Sequence, residues 1–250
     1  NVLQNDARNL RLLTSMEEKK KLLADIGIDK VEVIPFSREF SRLTTEDYLR
    51  DYVIAKFGGK AVLVGYDNRI GSDLCTPEQT AGIAEKLGLE VIRPMSFKTD
   101  NGIVISSTKI RNALSEGNID EANAMLGYPY QLYGVVISGN RLGHTIGFPT
   151  ANMQLYEPLK LVPGNGVYFV KVETLGRQWD GMCNIGVRPT LGSGNALTIE
   201  TNIFDFDEDI YGLDIRLSFV KKIRNEVKFN DLALLTLQLD KDRNLCRSLL

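Results

Sequence analysis

Apolar residues recur at helical spacing several times in the first half of the chain. Over 14–26, Met16, Leu22, Leu23 and Ile26 stand among charges, and Ser15 with Glu18 three positions later writes a capping box, so the stretch predicts a surface helix. A short β-branched run at 31–34 predicts a strand. Over 44–57 the helical pattern returns, with Thr44 or Thr45 as cap and Tyr48, Leu49, Tyr52 and Val53 as the apolar face. AVLVG at 61–65 predicts a buried strand, 77–87 a helix and 89–92 another strand. This alternation implies a parallel, three-layer α/β arrangement, with two further short helices at 107–114 and 119–126 completing the half.

After Gly127, Tyr128 and Pro129 the period changes. Short β-branched and aromatic runs at 133–137, 167–172, 178–184, 197–204 and 215–220 are separated by glycines, the punctuation of an all-β domain. An amphipathic helix at 231–239, with room to continue towards 250, closes the chain. The two textures place a domain boundary near 126–130, giving domains at 1–127 and 128–250.

The 250-residue length and 43% hydrophobic content suit two cores. Basic and acidic residues number 17 and 19 up to Gly127 and 13 each thereafter, so neither half predicts a nucleic-acid surface. Cys75, Cys183 and Cys246 are odd in number and lack CxxC spacing, which argues against a disulfide framework or a zinc site and predicts a reducing, cytoplasmic setting. No apolar run approaches the roughly 20 residues of a membrane helix and no signal peptide opens the chain, so no membrane partner is expected. The opening at Asn1, in a polar stretch without a Met, predicts further residues upstream.

Chemistry concentrates at 138–152, SGNRLGHTIGFPTAN. Gly139, Gly143 and Gly147 leave backbone amides free to approach a ligand, as in a phosphate cradle, although glycines near a hairpin more often punctuate turns. Pro149 stiffens the backbone, and Thr150 and Asn152, two apart on an extended strand, share one face. A hydroxyl and an amide oxygen are hard ligands suited to Mg²⁺; the plainer reading is two satisfied strand-end residues. His144, the single histidine, cannot supply both a triad and a second acid or base. Trp179, Tyr133, Tyr168 and Tyr211 could stack on a planar ring system, but core packing is the commoner fate of strand aromatics.

GFPTAN at 147–152 resembles the PTAN signature of the riboflavin kinase family. Further blocks resembling that family follow in order: GVYFV at 166–170, NIGVRPT at 184–190, IETNIFDF at 199–206, DIYG at 209–212 and IRNEVKF at 223–229. The resemblance implies a Greek-key β-barrel with a trailing helix, Thr150 and Asn152 as Mg²⁺ ligands, Glu200 as catalytic base, and ATP and flavin contacts from Gly139, Arg141, Gly143, Gly147, Pro149 and Arg224. A surface ion pair is the competing reading of Arg224, and an exposed strand carboxylate that of Glu200.

In the first half, ISSTKIR at 105–111 sets Ser106, Ser107 and Thr108 at a helix N-terminus with Arg111 one turn on, which in principle is a phosphate site and otherwise an ordinary N-cap. The element resembles the ISSTxIR motif of the nucleotidyltransferase superfamily, as found in bifunctional FAD synthetases. The stretches 31–49 and 64–71 resemble the same family, which implies an incomplete Rossmann-like domain with Asp67, Ser107, Thr108 and Arg111 at the nucleotide. That family's first strand and its GxFDGxHxGH element are absent from these 250 residues. The resemblance therefore implies an enzyme of FAD biosynthesis that phosphorylates riboflavin to FMN and adenylylates FMN to FAD. ATP would be the co-substrate at both steps, with Mg²⁺ as the cofactor. A kinase with an inactive first domain, or a flavin-binding module without catalysis, are the alternatives; the oligomeric state is left open.

Overall fold

The fold was analysed in a computed structural model that describes all residues except 1–10, 67, 96, 99–101, 103, 140, 141 and 191–193; the side chains of 142, 144, 188–190 and 194–196 also lie outside it. By packing, the chain divides into two compact units. One holds Lys20–Val104; the other holds Asn9–Lys19 and Ile105–Leu250.

Helix α1 (Met16–Asp25), whose first residues belong to the second unit and whose remainder belongs to the first, begins at the expected capping box. Glu18 N donates to Ser15 Oγ at 3.1 Å, and Ser15 N to Glu18 Oε2 at 2.8 Å. In the first unit, α2 (Thr45–Asp47), capped by Thr44, runs on as a π-helix over Tyr48–Lys56. Strand β1 (Ala61–Leu63) precedes α3 (Pro77–Lys86), where Thr76 and Gln79 form a second capping box with proline in the first turn. β2 (Glu90–Ile92) then pairs in parallel with β1. Leu49, Ala84 and Leu89 form the small core, with Val62 and Val91 packed against it.

Two expectations change here. Residues 31–34 form no strand: Val31 and Val33 are exposed and pair with no strand among the described residues. β1 is not buried either, because β2 is its sole described neighbour and helices cover only the Val62 face; Leu63 stays 61% exposed.

The second unit begins with α4 (Ser107–Glu116) and α5 (Ile119–Leu126), which end at Gly117 and Gly127, both in the left-handed conformation that glycine adopts without penalty. Then come β3 (Gln131–Ile137), the short α6 (Leu142–Thr145), β4 (Ala151–Leu155), β5 (Gly166–Thr174), β6 (Arg177–Thr190), β7 (Gly194–Ile203), β8 (Asp214–Arg224) and α7 (Leu232–Arg247). The six strands close in the order β3-β4-β7-β6-β5-β8, every pair antiparallel. β5, β6 and β7 form a meander and β8 returns beside β5, which is a Greek key. Alternation along the strands sends Leu132, Val136, Tyr168, Ile185, Leu217 and Phe219 inwards.

The same core takes in Ile110, Leu114, Ile119 and Met125, so α4 and α5 pack with the barrel, although they belong to the helical half by texture. Residues 11–13 are stitched to the barrel as well. Leu12 pairs with Lys160, whose buried ammonium bonds Glu18 and the Leu13 carbonyl (2.8 Å); desolvation pulls its pKa down. A second apolar cluster lies on the outer face of the barrel beneath α7: Phe148, Val167, Phe169, Met182, Phe204 and Cys246.

Candidate active site

Strand register brings one residue from each of five strands into a row, four of them polar. Asn152 on β4 faces Glu200 on β7, Glu200 faces Asn184 on β6, Asn184 faces Val167 on β5, and Val167 faces Arg224 on β8. Ala151 and Met153 are part of the inner core, so Thr150 and Asn152 turn to the outer face, as the two-residue spacing predicts. Cys183 and Thr201 lie behind the row; burial pushes the Cys183 thiol up to about 12, which leaves it protonated and inert.

On this outer face a cavity of about 200 Å³ is lined by Thr150, Asn184, Glu200, Asn202 and Arg224, with apolar walls that include Leu235 and Leu239 of α7. Gly143 is part of its rim; a Cβ there would strike the Phe148 carbonyl oxygen and lie 3.5 Å from Thr150 Oγ1. At Gly139 a Cβ would come within 2.6 Å of Asn152 Cγ. These two glycines therefore keep space open at the two expected Mg²⁺ ligands, while Gly147 supplies a positive φ of 78° to the turn. Asn202, 7% exposed, ties the strand to the loop by donating Nδ2 to the Pro149 carbonyl at 2.7 Å.

A second cavity, of about 360 Å³, is lined by Pro149, Thr150 and Ala151 together with Val136, Ile203, Phe206 and 207–211. Thr150 is thus part of both walls. Trp179 meets Phe206 edge to face at 5.0 Å, and Tyr211 lines this second cavity. Tyr168 is buried in the core and Tyr133 bonds Asp214 at 2.6 Å, so neither faces the first cavity.

Arg224 is no surface pair. Its Nε and Nη2 reach the carboxylate of Asp242, which is 2% exposed, at 2.8–3.1 Å. Arg141 and Asp67 lie outside the described residues, as does the side chain of His144. At α4, Ser106 is the cap, accepting from Lys109 N at 3.3 Å, which leaves Ser107 and Thr108 exposed in the first turn; Arg111 donates Nε to the Arg11 carbonyl at 2.9 Å.

Sequence reasoning did not single out Asn184, Asn202, Asp242 or the α7 leucines. Asn202 was within reach, since it stands two residues from Glu200 on the same strand face. Asn184 and Asp242 join the site only through strand pairing and helix packing.

A closed Greek-key barrel with a hydroxyl, an amide and a carboxylate on one outer face, beside two cavities and a glycine-rich loop, has the parts that a phosphoryl-transfer site requires. The family model described as riboflavin kinase matches residues 126–250, and that described as FAD synthetase matches residues 1–109. A Bacillus subtilis (strain 168) protein described as "Bifunctional riboflavin kinase/FMN adenylyltransferase" is 36% identical over 249 residues, covering 97% of this chain and 76% of its own length. The Escherichia coli (strain K12) protein of the same description is 37% identical over 234 residues, covering 92% and 73%. A solved Streptococcus pneumoniae structure, named as a macrolide-efflux protein, superposes with a TM-score of 0.86 at 33% identity, over 94% of this chain and 75% of that one. No helix among the described residues is long and apolar enough to cross a membrane. The chain belongs to the bifunctional riboflavin kinase/FMN adenylyltransferase family.

Proposed function

We propose that the barrel transfers the γ-phosphoryl group of ATP to the 5′-hydroxyl of riboflavin, leaving ADP, and that the nucleotidyltransferase half joins AMP from a second ATP to FMN, releasing pyrophosphate. The observation that carries the kinase assignment is that Thr150 borders two cavities, with Asn152 and Glu200 beside it in the strand row. The cavity walled by Leu235, Leu239, Val227 and Phe229 suits the isoalloxazine ring. The other, apolar at Ile203 and Phe206 with carboxylates at 207–209, suits an adenosine whose amine and ribose hydroxyls need acceptors. The phosphates then run past Thr150 beneath the glycine loop.

Glu200 accepts the proton of the 5′-hydroxyl as the oxygen attacks the γ-phosphorus and ADP leaves, sharpening a weak nucleophile. Thr150 and Asn152 would hold Mg²⁺, and the space kept by Gly139 and Gly143 fits an ion taking two protein oxygens, waters and phosphate oxygens. When bound, that ion offsets charge on the phosphates. For adenylylation, Ser107, Thr108 and Arg111 offer hydroxyls, amides and a guanidinium to ATP phosphates at the N-terminus of α4, and Asp67 a polar contact to the nucleotide. Three free cysteines, two of them buried, agree with a cytoplasmic enzyme.

A single chromatographic assay of riboflavin, ATP and Mg²⁺ tests both halves. Glu200→Gln should lower FMN formation by about 10²–10⁴-fold with riboflavin binding retained. In a protein that also carries the upstream GxFDGxHxGH element, Arg111→Ala should depress FAD and spare FMN. A Glu200→Gln variant keeping more than about a third of the wild-type kcat would remove Glu200 as the base.

A further inference from the structure

Among the described residues lining the flavin-side cavity, Arg224 alone is cationic. Its guanidinium has five N–H donors in a rigid plane. Nε lies 2.9 and 3.1 Å from the two oxygens of Asp242, Nη2 lies 2.8 Å from Oδ2 of the same carboxylate, and Nη1 donates to the Asn225 carbonyl at 3.0 Å. One hydrogen on each Nη remains for an acceptor on a ligand. Asp242 is itself fixed: it is 2% exposed, it sits on α7, and Gln238 donates to its Oδ1 at 2.8 Å. The helix that carries it also supplies Leu235 and Leu239 to the cavity wall, and pins the loop through Arg243 over the Phe148 ring at 4.8 Å.

We infer that Asp242 is a positioning residue of the kinase reaction: it holds Arg224 side-on, so that the two uncommitted N–H donors meet an acceptor oxygen or nitrogen of the bound flavin. Without the carboxylate, the arginine keeps its charge but loses the geometry that makes the fork selective. Because the contact is made equally in the ground and transition states, its loss raises KM and leaves kcat in place. The inference rests on the kinase reading of the site.

The test uses the 250-residue chain at saturating Mg-ATP, with riboflavin KM and kcat from FMN formation and riboflavin Kd from quenching of flavin fluorescence. Asp242→Asn should raise KM and Kd about tenfold or more while kcat stays within about threefold. In an Arg224→Lys background, which keeps charge without the fork, Asp242→Asn should add less than about twofold, because Asp242 acts only through the arginine. An unchanged KM, equal losses in kcat and KM, or effects that multiply in the double variant would overturn the assignment. If Asp242→Asn gives no cooperative melt, Gln238→Leu takes its place, since it removes one hydrogen bond from the carboxylate and leaves the ion pair. A riboflavin Kd raised at least about twofold is then expected, and an unchanged Kd is fatal. A wild-type chain that binds riboflavin without forming FMN would overturn the kinase reading instead, and the Kd values would still decide the role of Asp242.

Discussion

Replacing Gly139 by alanine adds one carbon to the loop that overhangs Asn152. Gly139 is not among the positive-φ residues, so alanine meets no backbone penalty and the whole effect comes from space. The new Cβ would stand 2.6 Å from Asn152 Cγ and 2.9 Å from Oδ1, whereas ordinary contact begins near 3.4 Å. Asn152 Nδ2 is the nearest atom of all, so the amide must retreat by about 1 Å or more, which the short side chain achieves by turning away from the Glu200 row. A misplacement of about 1 Å at a reacting centre costs on the order of 10²-fold, or about 2.7 kcal/mol of barrier. Global stability should change little, since one short side chain carries the adjustment. Measured as FMN formation with titrated Mg²⁺, kcat/KM should fall about a hundredfold and the Mg²⁺ requirement should rise. Gly82→Ala on α3, where a Cβ meets open space, is the control: kinase activity unchanged and stability raised by up to about 1 kcal/mol. A cooperatively melting Gly139→Ala that keeps more than about a third of the wild-type kcat/KM would refute the reasoning, because Asn152 would then tolerate displacement.

The cysteines make a second check: burial pushes both Cys183 and Cys246 up to about 12, so at pH 8 a thiol reagent should label one thiol, Cys75, in the folded protein and three after denaturation. Two fast-reacting thiols in the native state would contradict the packing. A third concerns Asp214, which accepts from Tyr133 at 2.6 Å and from Tyr156, and whose carboxyl is held below its ordinary value chiefly by the Tyr133 hydroxyl. A depressed carboxyl contributes stability above its unfolded pKa of about 4, and that contribution is lost as pH falls through the lower folded value. Thermal melts from pH 6 down to pH 2 should therefore fall less steeply for Asp214→Asn than for the wild type; parallel curves would mean the tyrosine clasp carries no linkage.

Local chemistry was legible from the residues alone. The capping box at Ser15, the helices placed at 77–87, 107–114 and 119–126, and the change of period after Gly127 all depend on neighbours close along the chain, and each appears near where the pattern put it. The outward face shared by Thr150 and Asn152 follows from strand alternation in the same way. Residues 31–34 misled because β-branched residues form a strand only when another strand offers hydrogen bonds, and none among the described residues does.

What the sequence determined about this protein is therefore its elements, its two textures and the residue types of the site, since these are set by interactions short along the chain. Tertiary structure decided the rest: that Glu200 lies between Asn152 and Asn184, that α4 and α5 share the barrel's core, and that Asp242, 18 positions after Arg224, grips it. Strand order and helix docking are chosen by burial of apolar surface over the whole unit, a sum over distant residues that no local window contains.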